Sequence, residues 1–261
     1  MLDRMSKNQK SSINKKRDET THFGYKKVSM DEKAPLVREV FNAVAPRYDL
    51  MNDLMSLGIH RLWKRAMINW LIPRENMELL DVGGGTGDIA LRFLDSGGGN
   101  VTVVDINSEM LKEGKEKTFG NLMSNKIHWL QSNSEKLPIK DNYFDAYTTA
   151  FCIRNVTHID QMLSEAYRVL KPGGRFMCLE FSHVVIPVLE KIYEAYSFSV
   201  LPALGKIVAG DREAYQYLAE SIRQFPDQST FSEMISASGL EQVKVRNLSG
   251  GIAAIHSAWR I

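Results

Sequence analysis

Apolar side chains recur at helical spacing through Leu36, Val37, Val40, Phe41 and Val44, and the run stops at Pro46. A second helical stretch holds Tyr48, Leu50, Met51, Leu54 and Met55 and breaks near Gly58, and a third carries Leu62, Trp63, Met67, Trp70 and Leu71 up to Pro73. The pattern then changes. Short apolar runs at 79–82, 101–105, about 126–131, 144–151 and 175–181 read as strands, separated by stretches of helical periodicity. Of those stretches, one carries Ile89, Ala90, Phe93 and Leu94, and another carries Ile159, Met162, Leu163, Ala166 and Val169. Such alternation predicts an α/β fold with a mostly parallel sheet, and helices over 33–72 that cover the C-terminal edge of its strands. Residues 187–225 do not fit a single crossover helix and read as a helical insertion, a lid beside the site. A further helix over 231–237 ends at Gly239. Runs at 243–245 and 252–259 flank Ser249-Gly250-Gly251 and predict a closing hairpin, an antiparallel edge on the parallel sheet.

Composition narrows the class. The chain has 261 residues, 44% hydrophobic and 25% charged, which suits one domain over 23–261 with a full core. Residues 1–22 are lysine-rich (Lys7, Lys10, Lys15, Lys16) with almost no bulky apolar side chain, so they read as a disordered basic tail. The tail has no apolar h-region, and Asp3, Asp18 and Glu19 argue against a mitochondrial presequence. A net charge of +2 argues against nucleic acid as a partner. Cys152 and Cys178 read as small buried thiols inside strands, and the six histidines lack metal-site spacing. Pro202 and Lys206 interrupt the most apolar stretch, well short of the roughly 20 residues of a spanning helix.

The chemistry centres on Leu79-Leu80-Asp81-Val82-Gly83-Gly84-Gly85-Thr86-Gly87-Asp88, a strand entering a tight glycine turn and then a helix. Gly83-x-Gly85-x-Gly87 lets the backbone approach a ligand. The third glycine of a dinucleotide fingerprint would fall on Asp88, where a carboxylate repels a pyrophosphate, so a nicotinamide-dependent oxidoreductase is disfavoured. S-adenosylmethionine (SAM) carries no phosphate, and its amino group suits a nearby carboxylate. Asp105, at the end of the second strand, is placed to accept hydrogen bonds from both ribose hydroxyls. The turn Ser132-Asn133-Ser134-Glu135 follows the third strand and reaches an adenine edge, where Asn133 donates and accepts. Tyr48, Asn52 and His60 interrupt the apolar stripe of the N-terminal helices, either as satisfied packing groups or as substrate contacts.

Two long stretches carry a more specific signal. Tyr48-Asp49-Leu50-Met51-Asn52-Asp53-Leu54-Met55-Ser56-Leu57-Gly58-Ile59-His60-Arg61-Leu62-Trp63 and Arg168-Val169-Leu170-Lys171-Pro172-Gly173-Gly174-Arg175-Phe176-Met177-Cys178-Leu179-Glu180-Phe181-Ser182 resemble the two signatures of the UbiE/COQ5 C-methyltransferases. The resemblance starts near Phe23 and reaches the last strand. It implies a class I SAM-dependent methyltransferase fold, Rossmann-like and seven-stranded, with SAM as donor. The implied acceptor is a ring carbon of a polyprenyl benzoquinol in ubiquinone biosynthesis, with demethylmenaquinol a further option. Carried onto this chain, the cofactor positions are Thr86 in the turn, Asp105, and Asn133-Ser134. The glycine turn itself adds Gly83 and Gly85 as cofactor contacts, and the N-terminal helices offer Tyr48 and Asn52 as substrate contacts. The chain departs from the family where Gly83 replaces alanine, where Ala150 replaces a serine, and where Phe151-Cys152-Ile153-Arg154-Asn155 has cysteine in place of glycine.

Carbon methylation asks an electron-rich ring carbon to attack a sulfonium methyl, which ionisation of the neighbouring phenol favours. Arg154 is expected to stabilise the phenolate, and a water ordered by Arg154 and Asn155, or His158 nearby, to take the proton. Stretches 48–55 and 196–208 are expected to line an acceptor cleft open to lipid or a partner, with closed core or a homodimer interface as the alternatives. The expected partners are therefore a polyprenyl quinol and a peripheral membrane contact or quinone-synthesis complex. The expected place is the cytoplasm or cytoplasmic face of a bacterial inner membrane, with the mitochondrial matrix as the alternative. Another lipophilic phenol or sterol as acceptor, and a non-catalytic scaffold role, stand as the competing readings.

Overall fold

The computed structural model describes residues 20–44, 52–53, 56, 58–120, 122–185 and 212–261. It opens on a short antiparallel hairpin, β1 (Thr20–Phe23) and β2 (Lys26–Ser29), which leads directly into α1 (Met30–Val44). Residues 20–22, expected to belong to the disordered tail, are instead part of β1, where Thr20 pairs with Ser29 and Thr21 with Val28, and residues 1–19 lie outside the described residues. Local sequence does not favour this hairpin; tertiary contact does. Phe23 stacks on Tyr217 with ring centroids 4.1 Å apart, and Tyr25 N donates to Glu220 Oε2 at 3.0 Å. The helix begins at Met30, three residues before the expected 33, because the Glu32 side chain reaches back to Ser29 just ahead of the first turn. Glu32 Oε2 accepts from Ser29 N at 3.0 Å and from Ser29 Oγ at 2.9 Å. Those two bonds to Ser29 hold the Glu32 carboxyl below its ordinary range.

From there the chain alternates: α2 (His60–Leu71), β3 (Glu78–Val82), α3 (Asp88–Asp95), β4 (Asn100–Asp105), α4 (Ser108–Thr118), β5 (Ile127–Gln131), β6 (Phe144–Ala150), α5 (Ile159–Val169) and β7 (Leu170–Phe181). It closes with α6 (Arg212–Gln224), α7 (Gln228–Ala237), β8 (Glu241–Leu248) and β9 (Ala253–Trp259). The seven-stranded sheet has the order β5-β4-β3-β6-β7-β9-β8, parallel from β5 to β7, with β9 antiparallel to both its neighbours. The expected closing hairpin is present, but its second strand lies inside and its first forms the edge. Composition explains the order. β9 reads Ala-Ala-Ile-His-Ser-Ala-Trp and is buried over six of its seven positions, whereas β8 exposes Glu241, Lys244 and Arg246 and suits an edge.

Period-two alternation puts apolar side chains on both faces of the sheet. Leu79, Val101, Val103, Met177 and Leu179 pack beneath α2 and α3, against Trp63, Met67, Ile68 and Phe93. Leu80, Val104, Phe176 and Cys178 face the other way, onto Met162, Leu163 and Ala166 of α5 and Phe231 and Ile235 of α7. Asp81 is the polar exception on β3. It is fully buried, and its register partner Thr148 donates to Oδ1 at 2.9 Å. Burial pushes that carboxyl up to about 7, against the pull of Thr148 and Lys64. Of the second N-terminal helix expected at 48–55 only Asn52 and Asp53 are described, both helical, and most of the insertion expected at 187–225 lies outside the described residues, as do Tyr48 and the stretch 196–208. The described end of that insertion is α6. Among the described residues no helix is long and apolar enough to cross a membrane.

Candidate active site

A cavity of about 310 Å³ opens at the C-terminal ends of the parallel strands, where an open α/β sheet leaves a crevice. Its floor is the glycine turn after β3 and the ends of β4 and β5. The amides of Gly83 and Gly84 both donate to Val104 O, at 2.7 and 3.1 Å, which folds the turn back over β4. Gly85 has φ of 55° and lines the cavity; a Cβ there would meet Met110 Cε at 2.9 Å, so the turn packs too tightly on Met110 for a side chain. Asp105 ends β4 beside it. Its Oδ2 accepts from Gly85 N at 2.9 Å and its Oδ1 from Asn107 N at 2.8 Å, so the carboxylate is held by backbone at both oxygens. Burial pushes its acid up to about 6, while the bonds from Asn107 and Gly85 pull the other way.

Ser132, Asn133, Ser134 and Glu135 form the side wall after β5. Asn133 uses its own Oδ1 to accept from Glu135 N at 2.9 Å, which leaves its amide nitrogen for a ligand. The opposite wall is the stretch after β6: Phe151, Cys152, Asn155, Val156, Thr157 and His158. Helix α1 closes the top with Met30, Asp31, Ala34, Val37, Arg38 and Phe41. Asn42 ties that helix down by accepting from Asn107 Nδ2 at 2.8 Å.

Of the residues singled out in the sequence, Gly83, Gly85, Asp105, Asn133, Ser134, Asn155 and His158 all reach this one cavity. Thr86 does not. It is buried and lines a separate depression with His60, Arg61, Asp88, Leu91 and Arg92. Asp88 is not a free carboxylate either: Lys64 Nζ lies 2.7 Å from Oδ2 and Arg92 Nε 2.8 Å from Oδ1. Burial alone would raise Asp88, yet Lys64 and Arg92 hold it below its ordinary range. Asn52 is buried away from the cavity wall, and its Nδ2 has no partner among the described residues. His60 is also buried, with Nε2 2.9 Å from Asp53 Oδ1; burial, then Lys64, lower its pKa.

Arg154 requires a correction. The sequence suggests a guanidinium facing the phenolate, but the side chain points behind the wall into protein. Its Nη1 donates to Glu180 Oε1 at 2.7 Å and to Phe151 O at 2.8 Å, and its Nε lies 3.4 Å from Ser221 Oγ. Both ends of the ion pair are almost wholly buried, at 2% and 1% side-chain exposure. A cation neutralised there positions the wall through Phe151 and Asn155 rather than facing a ligand. Asn155 is held in turn by Tyr217, whose hydroxyl donates to Oδ1 at 2.9 Å. Burial raises the Tyr217 phenol, which keeps it a donor.

The sequence reading missed Asp31, Arg38 and Glu135 on the cavity wall. Asp31, Ala34, Arg38 and Phe41 are spaced three, four and three apart, so one helical face could have shown them. Cys152 lies just beyond β6 on the wall, not inside a strand. It explains two sequence departures together. Gly83 has φ of 66°, and a Cβ on it would coincide with Cys152 Sγ, so the thiol occupies the space an alanine methyl would need. Gly83→Ala alone should therefore destabilise by about 1–3 kcal/mol through overpacking. Adding Cys152→Gly should recover the overpacking part of that loss in thermal melts and leave the strain of an alanine at this positive φ. Strictly additive single and double mutants would remove this pairing.

The cavity suits a nucleoside with a cationic centre better than a phosphate ester. Its charged wall residues are the acids Asp31, Asp105 and Glu135 against the base Arg38, with His158 beside them. The sequence model described as "ubiE/COQ5 methyltransferase family" matches residues 26–260. The Ruegeria sp. (strain TM1040) protein named ubiquinone/menaquinone biosynthesis C-methyltransferase UbiE is 54% identical over 250 residues, covering 95% of this chain and all of that protein. The Roseobacter denitrificans protein of the same name is 52% identical over 245 residues, covering 94% and 98%. The solved structure of a SAM-dependent methyltransferase from Thermotoga maritima superposes with a TM-score of 0.62 at 18% identity, covering 85% of this chain and 99% of that one.

Proposed function

The chain belongs to the ubiE/COQ5 methyltransferase family, and from that premise we propose that it methylates a ring carbon of a polyprenyl benzoquinol at the cavity described above. It is a SAM-dependent C-methyltransferase. The observation that carries the site assignment is Asp105, oriented at both oxygens by the backbone amides of Gly85 and Asn107. When bound, the donor supplies an electrophilic methyl on a positively charged sulfur.

The chain's own residues do the rest. Asp105 accepts from the ribose hydroxyls, and Asn133 and Ser134 meet the base. Asn155, with Oδ1 taken by Tyr217, keeps its amide N–H for the acceptor's ring oxygen. His158 stands on the same wall and takes the phenol proton, since an imidazole accepts a proton and Arg154 is engaged by Glu180. The electron-rich ring carbon of the phenolate would then displace S-adenosylhomocysteine, the C–C bond forming as the S–CH3 bond breaks, and the ring proton at that carbon would pass to solvent water to restore aromaticity. Holding the two reactants in line lowers the barrier by about 7–11 kcal/mol at best. Arg38, at the mouth of the cavity, offers its positive charge to the forming phenolate.

A polyprenyl acceptor places the enzyme at a lipid surface or beside partner proteins of quinone synthesis, in peripheral contact on the cytoplasmic side of a bacterial membrane. The test is direct. Purified protein given SAM and a quinol lacking the ring methyl should yield the methylated quinol and S-adenosylhomocysteine in equal amounts by mass spectrometry. The gene should also restore quinone methylation in a bacterium that lacks it. Turnover of SAM with no carbon-methylated quinol would reject this acceptor and favour another lipophilic phenol.

A further inference from the structure

We infer that Glu135 is a positioning residue that couples the donor side of the cavity to its acceptor side, with Lys33 of α1 holding the same acceptor-side loop at Val156. This inference rests on the reading of the cavity given above. Glu135 belongs to the turn after β5, and its Oε1 accepts from Thr157 N at 3.0 Å and from His158 N at 3.2 Å. Those two amides lie across the cavity, in the loop that carries Asn155 and His158. Lys33, on α1, is buried and donates from Nζ to Val156 O at 2.8 Å. Three consecutive backbone groups of the acceptor wall are thus anchored by side chains from two other elements rather than by a helix or strand ladder.

The chain of contacts continues into the donor side. Asn133, the residue facing the adenine position, accepts from the backbone N–H of Glu135 itself. A base seated on Asn133 therefore orders Glu135, and Glu135 orders Thr157 and His158. Glu135 and Lys33 also face one another in charge: burial lowers the lysine, and the glutamate's charge acts in the opposite sense. Tyr217 and the Arg154–Glu180 pair fix the other end of the same loop, at Asn155 and Phe151, so the freedom left to it lies at 156–158. Coupling of this kind is reciprocal, so each ligand should tighten the other by the same factor.

The experiment uses S-adenosylhomocysteine and, under anaerobic conditions, the quinol form of 6-decyl-2-methoxy-1,4-benzoquinone. In the wild type, S-adenosylhomocysteine should slow hydrogen exchange at the amides of Thr157 and His158 and tighten the quinol by about fivefold or more. Glu135→Ala should bind S-adenosylhomocysteine within about threefold of wild type, yet lose both the added protection and the coupling. Glu135→Gln should keep most of both, because its carboxamide oxygen accepts the same two bonds. Full coupling in Glu135→Ala, or Glu135→Gln as impaired as the alanine, overturns the inference. If Glu135→Ala does not fold, Glu135→Asp, which keeps the charge but is one methylene too short to reach both amides, is read the same way, and full coupling in it overturns the inference. A wild type that binds S-adenosylhomocysteine and quinol without coupling defeats this inference alone. One that binds no S-adenosylhomocysteine defeats the cavity assignment, and the inference with it.

Discussion

Removing either member of the Arg154–Glu180 pair destabilises the protein by about 3–5 kcal/mol, and removing both costs much less. Arg154→Ala leaves a carboxylate with 1% side-chain exposure whose Oε2 already lacks a partner among the described residues. Glu180→Ala leaves a guanidinium buried against Phe181, with its centre 5.5 Å from the ring. Burial raises the Glu180 acid, and Arg154 opposes that rise, so without the arginine the carboxyl takes up a proton rather than stay charged. Arg154→Met with Glu180→Leu replaces both charges by apolar volume, and urea unfolding should place it within about 2 kcal/mol of wild type. Its turnover should still fall, because Phe151 O and the loop to Asn155 lose their anchor. Single mutants as stable as wild type would mean the pair is solvated, contrary to this packing. Near wild-type turnover in the double mutant would remove Arg154 from wall positioning.

Asp105→Ala should weaken S-adenosylhomocysteine binding by about 1.5–3 kcal/mol, roughly 10- to 150-fold, since charge-assisted hydrogen bonds to two hydroxyls are lost together. It should also release the Gly85 and Asn107 amides that the carboxylate now holds, so some of the loss is looser glycine-turn geometry. The wild type offers an independent check through pH. Burial places the Asp105 acid at about 6, and the ionised form is the better acceptor. Affinity should therefore be full near pH 7.5 and decline as pH falls through about 6. In Asp105→Asn this decline should vanish, leaving uniformly weaker binding. Calorimetric titrations from pH 5 to 8 would show it; a wild-type profile flat across that range, or unchanged affinity in Asp105→Ala, would remove Asp105 from the donor site.

Much of the architecture was legible in the chain because it rests on short-range rules. Short apolar runs alternating with stretches of helical periodicity marked β3 to β7, and the glycine turn with Asp105 and the Asn133–Ser134 turn marked the cavity floor. Those residues are placed by their own strands, since strand ends in a parallel sheet all arrive at one edge. What the local pattern could not show depended on partners far along the chain. The β1–β2 hairpin exists because Phe23 stacks on Tyr217 and Tyr25 meets Glu220. Arg154 looked like a charge for the substrate because its sequence neighbours include Asn155 and His158. Only folding brings Glu180, twenty-six residues on, to within 2.7 Å and turns the guanidinium away from the cavity. Thr86 and Gly85 are adjacent in sequence, yet the turn sends one to each side. Periodicity tells which residues are buried. Which buried charge meets which is decided by strand order and by helices crossing the sheet, because an ion pair needs two side chains within a few ångströms however far apart they lie in the chain.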